Sequence, residues 1–265
     1  MRGASGFDSF YSALYGPRWQ ALKDAFARPS DSVEFKLPDA QKPYYLDRAS
    51  VTAAENLPLE DAVDILDLCA APGGKTLILA SRMREDARLS SNERSASRKH
   101  RLALVVEECL PPELSQRVKV SCSDGATWCT RRTECFDSIL LDAPCSSERH
   151  VLADPKYLDQ WSLSRIKTVT TEQWALLSSA WRLLRKGGWL LYSTCALCPQ
   201  ENDEMIERLI KKFNKNGSCE VLPQDNNISA SNSSIMLEKT RYGFQILPDV
   251  SAGAGPIYFA LIKKI

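Results

Sequence analysis

The chain has 265 residues, 44 % hydrophobic and 25 % charged, and its 34 Lys and Arg against 33 Asp and Glu leave a net charge of +1. That length suits one large α/β domain with a small appendage, and a charge so near zero does not by itself announce a nucleic-acid binder. No apolar run approaches the ~18 residues that span a bilayer, and the opening MRGASGFDSFYSALYG reads as neither a signal nor a transit peptide. A cytoplasmic, monomeric protein away from membranes is expected.

In chain order, residues 8–28 read as helical, with Pro17 in a first-turn position before RWQALKDAFAR. Residues 29–46 read as a proline-punctuated loop, and Asp47 as the N-cap of a short helix over RASVTAAENL. The rhythm then changes. DILDLCAA is a buried strand, GKTLILASRM a helix, ARLSSNE a strand, SASRKHRLALVVEECL a helix, and RVKVSCSDG and FDSILLDAP are strands. A loop is expected over 145–162 and a helix over 163–185 that ends at Lys186-Gly187-Gly188. WLLYSTC follows as a strand, PQENDEMIERLIKKFN as a helix and CEVLP as a strand. The Asn/Ser-rich 223–234 reads as a mobile surface loop. GFQILP is a short strand, and IYFALIKKI reads as an antiparallel insertion at the sheet edge.

Strands alternating with helices from residue 64 imply an α/β, doubly wound parallel sheet with helices on both faces. Residues 1–60 form a helical N-terminal extension in this reading, and 61–265 the catalytic domain.

The nine cysteines are odd in number and scattered, unlike a disulfide framework. Cys195 and Cys198 form a C-x-x-C, but no second pair at zinc spacing accompanies them, and no metal is expected. Most read as small buried hydrophobes. Basic residues cluster at Arg94, Arg98, Lys99 and Arg101, at Arg131 and Arg132, at Arg149 with His150, and at Arg165 with Lys167. Each cluster alone reads as a solvated face; only convergence on one side would make an RNA track.

Gly74-Lys75-Thr76 has the ending of a phosphate-binding P-loop, but the position of that loop's first glycine is Cys69. The dinucleotide pattern G-x-G-x-x-G is absent as well. What remains is a strand ending at Cys69, a small-residue turn through Ala70, Ala71, Pro72, Gly73 and Gly74, and a helix start, where a ligand can lie against backbone amides. The second strand ends in Glu93, placed to accept from ribose hydroxyls, and the third in Asp124-Gly125, placed to meet an adenine amino group. Either acid alone could simply cap the next helix; in series they favour a nucleoside site.

DLCAAPGGKT, NERSASR, SDG, LLDAPCSSERH and YSTC, in this order, together with the ending GPIYFALIKK, resemble the RNA cytosine-C5 methyltransferases of the RsmB/Sun type over roughly residues 44–265. The resemblance implies a class I methyltransferase, Rossmann-like fold of seven strands with the last antiparallel. It also implies S-adenosylmethionine, not a triphosphate, in the glycine turn. Arg98 matches a family arginine near that cofactor. Where aspartate is common at the second strand, this chain has Glu93, whose longer side chain is expected to reach a ribose as well.

Cytosine C5 is a poor nucleophile. Thiolate attack on C6, with a proton supplied near N3, converts the ring to an enamine whose C5 can take a methyl group. Cys145, in Asp142-Ala143-Pro144-Cys145, and Cys195, in Ser193-Thr194-Cys195, both follow strand ends that open on one crevice. By the resemblance Cys195 is the nucleophile and Cys145 assists release of the methylated RNA. Asp142 is the candidate for the N3 edge. Lys75, a cation in a first helical turn, opposes the helix dipole, which suggests a task such as contacting Asp142, the cysteines or the methionine carboxylate.

The target base must leave its stack, so single-stranded or loop RNA, rRNA or tRNA, is the expected substrate. Larger family members carry an N-terminal RNA-binding domain for which about 60 residues leave no room, so target choice falls to the extension, a protein partner or a folded RNA such as a ribosomal particle. Two other readings fit these residues less well. A non-catalytic, S-adenosylmethionine-binding ribosome assembly factor has no need of Cys145, Cys195, Asp142 and Lys75 together. Methylation of an amino nitrogen calls for Asn/Asp-Pro-Pro-aromatic, which Asp142-Ala143-Pro144-Cys145 does not fit.

Overall fold

The computed structural model describes residues 1–214, 217–221 and 234–265; the loop expected over 223–234 falls outside the described residues except for Ser234. Two helices open the chain, α1 (Gly3–Tyr15) and α2 (Arg18–Phe26). They are parted at Gly16, whose φ of 55° ends α1, and Pro17 stands just before α2 as its cap.

The segment expected as a loop over 29–46 instead holds a hairpin, β1 (Ser32–Phe35) and β2 (Tyr44–Asp47), paired antiparallel from Ser32↔Asp47 to Phe35↔Tyr44. VEF and YYL carry the β-branched and aromatic residues that favour strands, and Pro38 and Pro43 lie between the strands rather than in them. The N-terminal segment is therefore not wholly helical. α3 (Arg48–Glu55) follows, with the Asp47 carboxylate accepting from the Ala49 amide at 2.8 Å as its cap.

The main sheet is built from β3 (Asp64–Asp67), β4 (Arg88–Glu93), β5 (Val118–Cys122), β6 (Phe136–Asp142), β7 (Leu184–Thr194), β8 (Cys219–Val221), β9 (Glu238–Lys239), β10 (Phe244–Ile246) and β11 (Ile257–Lys264). Its order is β5-β4-β3-β6-β7-β11-β10-β9, with β8 also on β11. Pairings from β5 through β7 are parallel, and β11 runs antiparallel to β7. β11 is interior, not at the edge: one side meets β7 and the other is shared by β10 and β8. This is the doubly wound class I methyltransferase arrangement, with the short β9–β10 pair added.

Helices cover both faces. α4 (Gly74–Arg82) and α5 (Ala96–Cys109) lie with α3 on one, α9 (Leu163–Leu183) and α10 (Asp203–Phe213) on the other. Neighbouring strand residues divide between the two cores: Ile65, Leu140 and Leu191 face α3–α5, while Leu66, Leu141 and Leu190 face α9–α10. That period of two inside uninterrupted apolar runs is the pattern of a sheet buried on both faces. A third cluster seats α1 and α2, through Phe7, Tyr11, Trp19 and Leu22, on Val151, Trp161, Ile166 and Leu197.

Short elements fill stretches read as loop or strand end: α6 (Pro112–Ser115), a 3₁₀ turn over Gly125–Thr130, α7 (Glu148–Ala153) and α8 (Pro155–Gln160). α9 also ends sooner than expected. Lys186-Gly187-Gly188 is not its cap but an outward bulge within β7, where the register against β6 jumps from Phe136↔Leu184 to Ser138↔Trp189. Gly188 is required there, since a Cβ would lie 2.6 Å from the Asp137 carbonyl oxygen. Among the described residues no helix is long and apolar enough to cross a membrane.

Candidate active site

The strand order reverses between β3 and β6, which puts the carboxyl ends of β3, β4, β6 and β7 around one crevice, the place where open α/β sheets bind ligands. A cleft of about 910 Å³ opens there, with Cys69, Ala71 and Pro72 along the glycine turn. Glu93 and Arg98 line it at the end of β4, Asp124 and Gly125 at the end of β5, and Asp142, Cys145 and Cys195 at the ends of β6 and β7. Ala70, Gly74 and Lys75 line an adjoining hollow of about 220 Å³ together with Asp67. A third hollow, about 390 Å³, opens on Cys195, Ser147 and His150 from the side of Asp47, Ser50 and Gly255.

Gly73 lines none of these. Its φ is +124°, and a Cβ on it would come 2.8 Å from Val105 Cγ1, so it serves the turn by close packing against α5 rather than by ligand contact. The Ala70 amide is engaged too, donating to the Asn92 carbonyl at 2.8 Å and locking the ends of β3 and β4 together. The ligand-facing part of the turn is thus narrower than the sequence suggests.

Glu93 is 5 % exposed. Its Oε1 accepts from the Ser95 amide at 2.8 Å, and its Oε2 lies 3.3 Å from Arg98 Nη1. Arg98 also donates to the Ala71 carbonyl at 2.7 Å, tying the acid to the glycine turn. Asp124 does act as a cap: Oδ1 accepts from the Ala126 amide at 3.0 Å at the start of the 3₁₀ turn. Gly125 allows close approach, because a Cβ there would be 2.8 Å from Leu68 Cδ1.

Lys75 Nζ sits 2.8 Å from Asp142 Oδ2 and 3.3 Å from Ser50 Oγ, while Asp142 Oδ1 accepts from Ser193 Oγ at 2.7 Å. Burial works against the lysine's charge, but the Asp142 carboxylate outweighs it and its pKa is raised. Asp67, inside β3, has one oxygen bonded to Thr76 Oγ1 at 2.7 Å and the other buried without a partner among the described residues. Burial pushes this carboxyl up to about 7.

The sulfurs of Cys145 and Cys195 lie 2.7 Å apart. A disulfide bond is ~2.05 Å, so these are two free thiols in contact. The hydrogen bond to Cys195, with burial, drives the Cys145 thiol well above its usual range. Ser147 Oγ, 3.5 Å from Cys195 Sγ, belongs to a residue held at φ 56°. Cys198, by contrast, is buried, with its sulfur 2.7 Å from Gln200 Oε1.

Sequence reasoning missed two fully buried carboxylates beneath the thiols. Glu148 accepts from the hydroxyls of Tyr11 and Ser146 and, at 2.9 Å, from the Leu197 amide. Glu201 accepts from the Ser146 amide at 2.9 Å and from Gln173 Nε2 at 3.0 Å. Nothing in PCSSERH marks its glutamate as buried. Asp67 did carry a signal, an acid inside an apolar strand. Of the basic clusters, Arg94, Arg98, Arg165 and His150 reach the cleft, whereas Arg149 lines the hollow of about 390 Å³ while donating to the carbonyls of Gly255, Gly253 and Arg28.

Residues 54–262 match the model of the family described as 16S rRNA methyltransferase RsmB/F. The chain belongs to the RsmB/F family. Among its relatives is the 5-cytosine rRNA methyltransferase NSUN4 of Xenopus tropicalis, 31 % identical over 84 % of this chain and 56 % of that protein. The chain thus spans about half the length of this curated relative. A crystal structure of NSun6 from Pyrococcus horikoshii with SFG superposes with a TM-score of 0.66 at 26 % identity, covering 89 % of this chain and 56 % of that one. A methyltransferase homolog from the same organism gives 0.72 at 22 % identity over 96 % and 93 % of the two chains, a likeness of fold. The RsmB/F match takes in every site residue named above from Asp67 to Glu201, and leaves α1, α2 and the hairpin outside it.

Proposed function

We propose that the protein transfers a methyl group from S-adenosylmethionine to C5 of a cytosine in RNA, rRNA being the class its family acts on, through a covalent bond between Cys195 and cytosine C6. The observation that carries this reading is the pair of touching thiols beside an Asp142 held by Lys75. A cofactor cleft alone would serve many methyltransferases; two cysteines at adjacent strand ends serve nucleophilic attack on a pyrimidine ring.

The cleft fits the cofactor on its own features. It offers a buried glutamate at the end of β4, an acid at the end of β5, glycines where side chains would intrude, and an orphaned Asp67 oxygen in the adjoining hollow. Glu93 would hold the ribose, Asp124 and Gly125 the base, and the turn with Asp67 the amino-acid end. When bound, S-adenosylmethionine supplies an electrophilic methyl group at C5.

The chain's own residues do the rest. The part of the cleft where Asp142, Cys145 and Cys195 come together receives a base turned out of its stack. Asp142 meets the N3 edge, oriented by Lys75 and Ser193. The Cys195 thiolate adds its electron pair to C6, and the ring takes a proton at N3. After methyl transfer the C5 proton passes to water in the crevice, the C6–sulfur bond breaks toward sulfur as N3 gives its proton back, and the Cys145 proton is at hand for the departing thiolate.

The test is methylation of RNA with labelled S-adenosylmethionine by the wild type, Cys195→Ala and Cys145→Ala, read as labelled RNA and as protein–RNA adduct on one denaturing gel. Wild type should label RNA, Cys195→Ala should do nothing, and Cys145→Ala should trap the adduct. An adduct formed by Cys195→Ala would reverse the thiol roles. Cofactor binding with RNA left unlabelled, on naked RNA and on ribosomal particles alike, would count against the reaction.

A further inference from the structure

Glu148 is 0 % exposed, yet it stands three residues after Cys145 in the chain and touches neither the cleft nor either sulfur. Such a carboxylate is costly to bury unless its lone pairs are satisfied. Here the donors come from three places. Ser146 Oγ is next to Cys145, the Leu197 amide is two residues past Cys195, and the Tyr11 hydroxyl comes from α1.

From these contacts we infer that Glu148 is a positioning residue that sets the spacing of the two thiols, and that Tyr11 lends the N-terminal helix to the same task. Its two oxygens divide the work, Oε1 holding the Cys145 loop and Oε2 the Cys195 loop. A bidentate group between two loops fixes their separation as no pair of independent contacts would. Glu201 adds a second tie to the Ser146 amide and, through Gln173, to the Pro144 carbonyl at 2.8 Å. Neither loop is therefore free to drift along the strand ends.

Tyr11 explains what the extension contributes. Its ring is 0 % exposed, packed 4.6 Å from Phe7 and 5.2 Å from Trp19 between ring centroids. The hydroxyl is consequently aimed by a packed aromatic cluster rather than by a flexible side chain. α1 and α2 thus bear on the thiols while lying outside the matched family region.

The catalytic consequence rests on the two-thiol reaction proposed above, but the spacing does not, so the experiment measures spacing directly. Diamide converts two neighbouring thiols to a disulfide, taking up the two hydrogens as it becomes the hydrazine. The rate at which the Cys145 and Cys195 peptides become joined, followed by digestion and mass spectrometry, reports how often the sulfurs meet. The full chain is compared with Tyr11→Phe, which removes one oxygen from a cluster that otherwise stays packed, and with Glu148→Gln. Melting temperature, cofactor affinity and methyl-transfer kinetics are read in parallel.

Each variant should slow cross-linking about five-fold, the factor expected for one lost hydrogen bond, with cofactor affinity unchanged and the loss of methylation in kcat rather than KM. Tyr11→Phe is informative even if Glu148→Gln fails to fold. Cross-linking at the wild-type rate in Tyr11→Phe, with only the melting temperature lowered, would make the network a structural staple and overturn the inference; so would a wild type in which these two cysteines do not join. Slower joining with methylation unaffected would uphold the spacing role and count instead against the two-thiol mechanism.

Discussion

The Lys75 ammonium and the Asp142 carboxylate meet at 2.8 Å at the rim between two hollows, with the lysine side chain 11 % exposed and the aspartate 32 %. A lysine at the second position of α4 lies against the positive end of the helix dipole, a cost of about 0.3–1 kcal/mol, and burial adds to it. Asp142 offsets both. In return the aspartate has each oxygen assigned, Oδ2 to Lys75 and Oδ1 to Ser193, and so has one orientation toward the cleft.

Lys75→Met keeps the stem and removes the charge. Asp142 then loses one of its two fixed contacts, and methyl transfer should fall by about 100-fold, the lower end of what a positioned proton donor or acceptor contributes. Stability should drop by roughly 1–3 kcal/mol, discounted toward the lower figure because Asp142 is about one-third open to water. Lys75→Arg should not restore activity, since a planar fork does not reproduce a point charge at the same atom. Single-turnover transfer of labelled methyl and a thermal melt check both; an undiminished rate in Lys75→Met would remove the lysine from the mechanism.

Two buried acids give the ligand-free fold a pH dependence with a definite sign. Burial raises Asp67 to about 7, and Glu201 likewise to about 7, with the neighbouring Glu148 charge adding to the latter. Their unfolded values are near 4, so between about pH 4 and 7 the native state binds protons that the unfolded chain has released. Stability is then full below the unfolded pKa and is lost as pH rises through 7. The melting temperature should fall from pH 5 to pH 8, and Asp67→Asn should flatten the fall by an amount on the order of 2–4 kcal/mol. A melting curve that rises over that interval would contradict the assignment.

Much of this was legible in the chain. The strands from DILDLC to WLLYSTC announced themselves because a doubly covered parallel sheet needs continuous apolar runs, and the acids and cysteines that end them fell at one crevice because parallel strands share a direction. What was not legible depends on long-range contact. The pairing of VEF with YYL across two prolines is decided by the partner strand, and Gly187-Gly188 reads equally as a helix stop or a strand bulge until Asp137 is beside it. Glu148 and Glu201 are hidden for the same reason. A glutamate becomes a buried brace only when donors such as Tyr11, 137 residues away, arrive to satisfy it.

The two glycines of the turn should respond in opposite ways to the same added methyl group. At Gly73, φ is +124° and a Cβ would press 2.8 Å from Val105 Cγ1 and 3.1 Å from its Cβ. Both backbone strain and overpacking then oppose Gly73→Ala, together about 2–4 kcal/mol, although Gly73 lines no hollow. Gly74 opens α4 with no left-handed backbone, and its added Cβ would meet Tyr44 Cε1 at 3.0 Å and Leu46 Cδ1 at 3.3 Å, less tightly than the 2.8 Å contact at Gly73. Helix propensity favours Gly74→Ala by up to about 1 kcal/mol, so its melting temperature should be close to wild type. Gly74 does line the hollow beside Lys75, however, so the methyl group narrows the space for the amino-acid end of the cofactor. Gly73→Ala should therefore lose stability, and Gly74→Ala should lose S-adenosylmethionine affinity while keeping its stability. Thermal melts and calorimetric titration of both variants separate the two effects, and equal melting temperatures would show that the left-handed turn is not what makes Gly73 necessary.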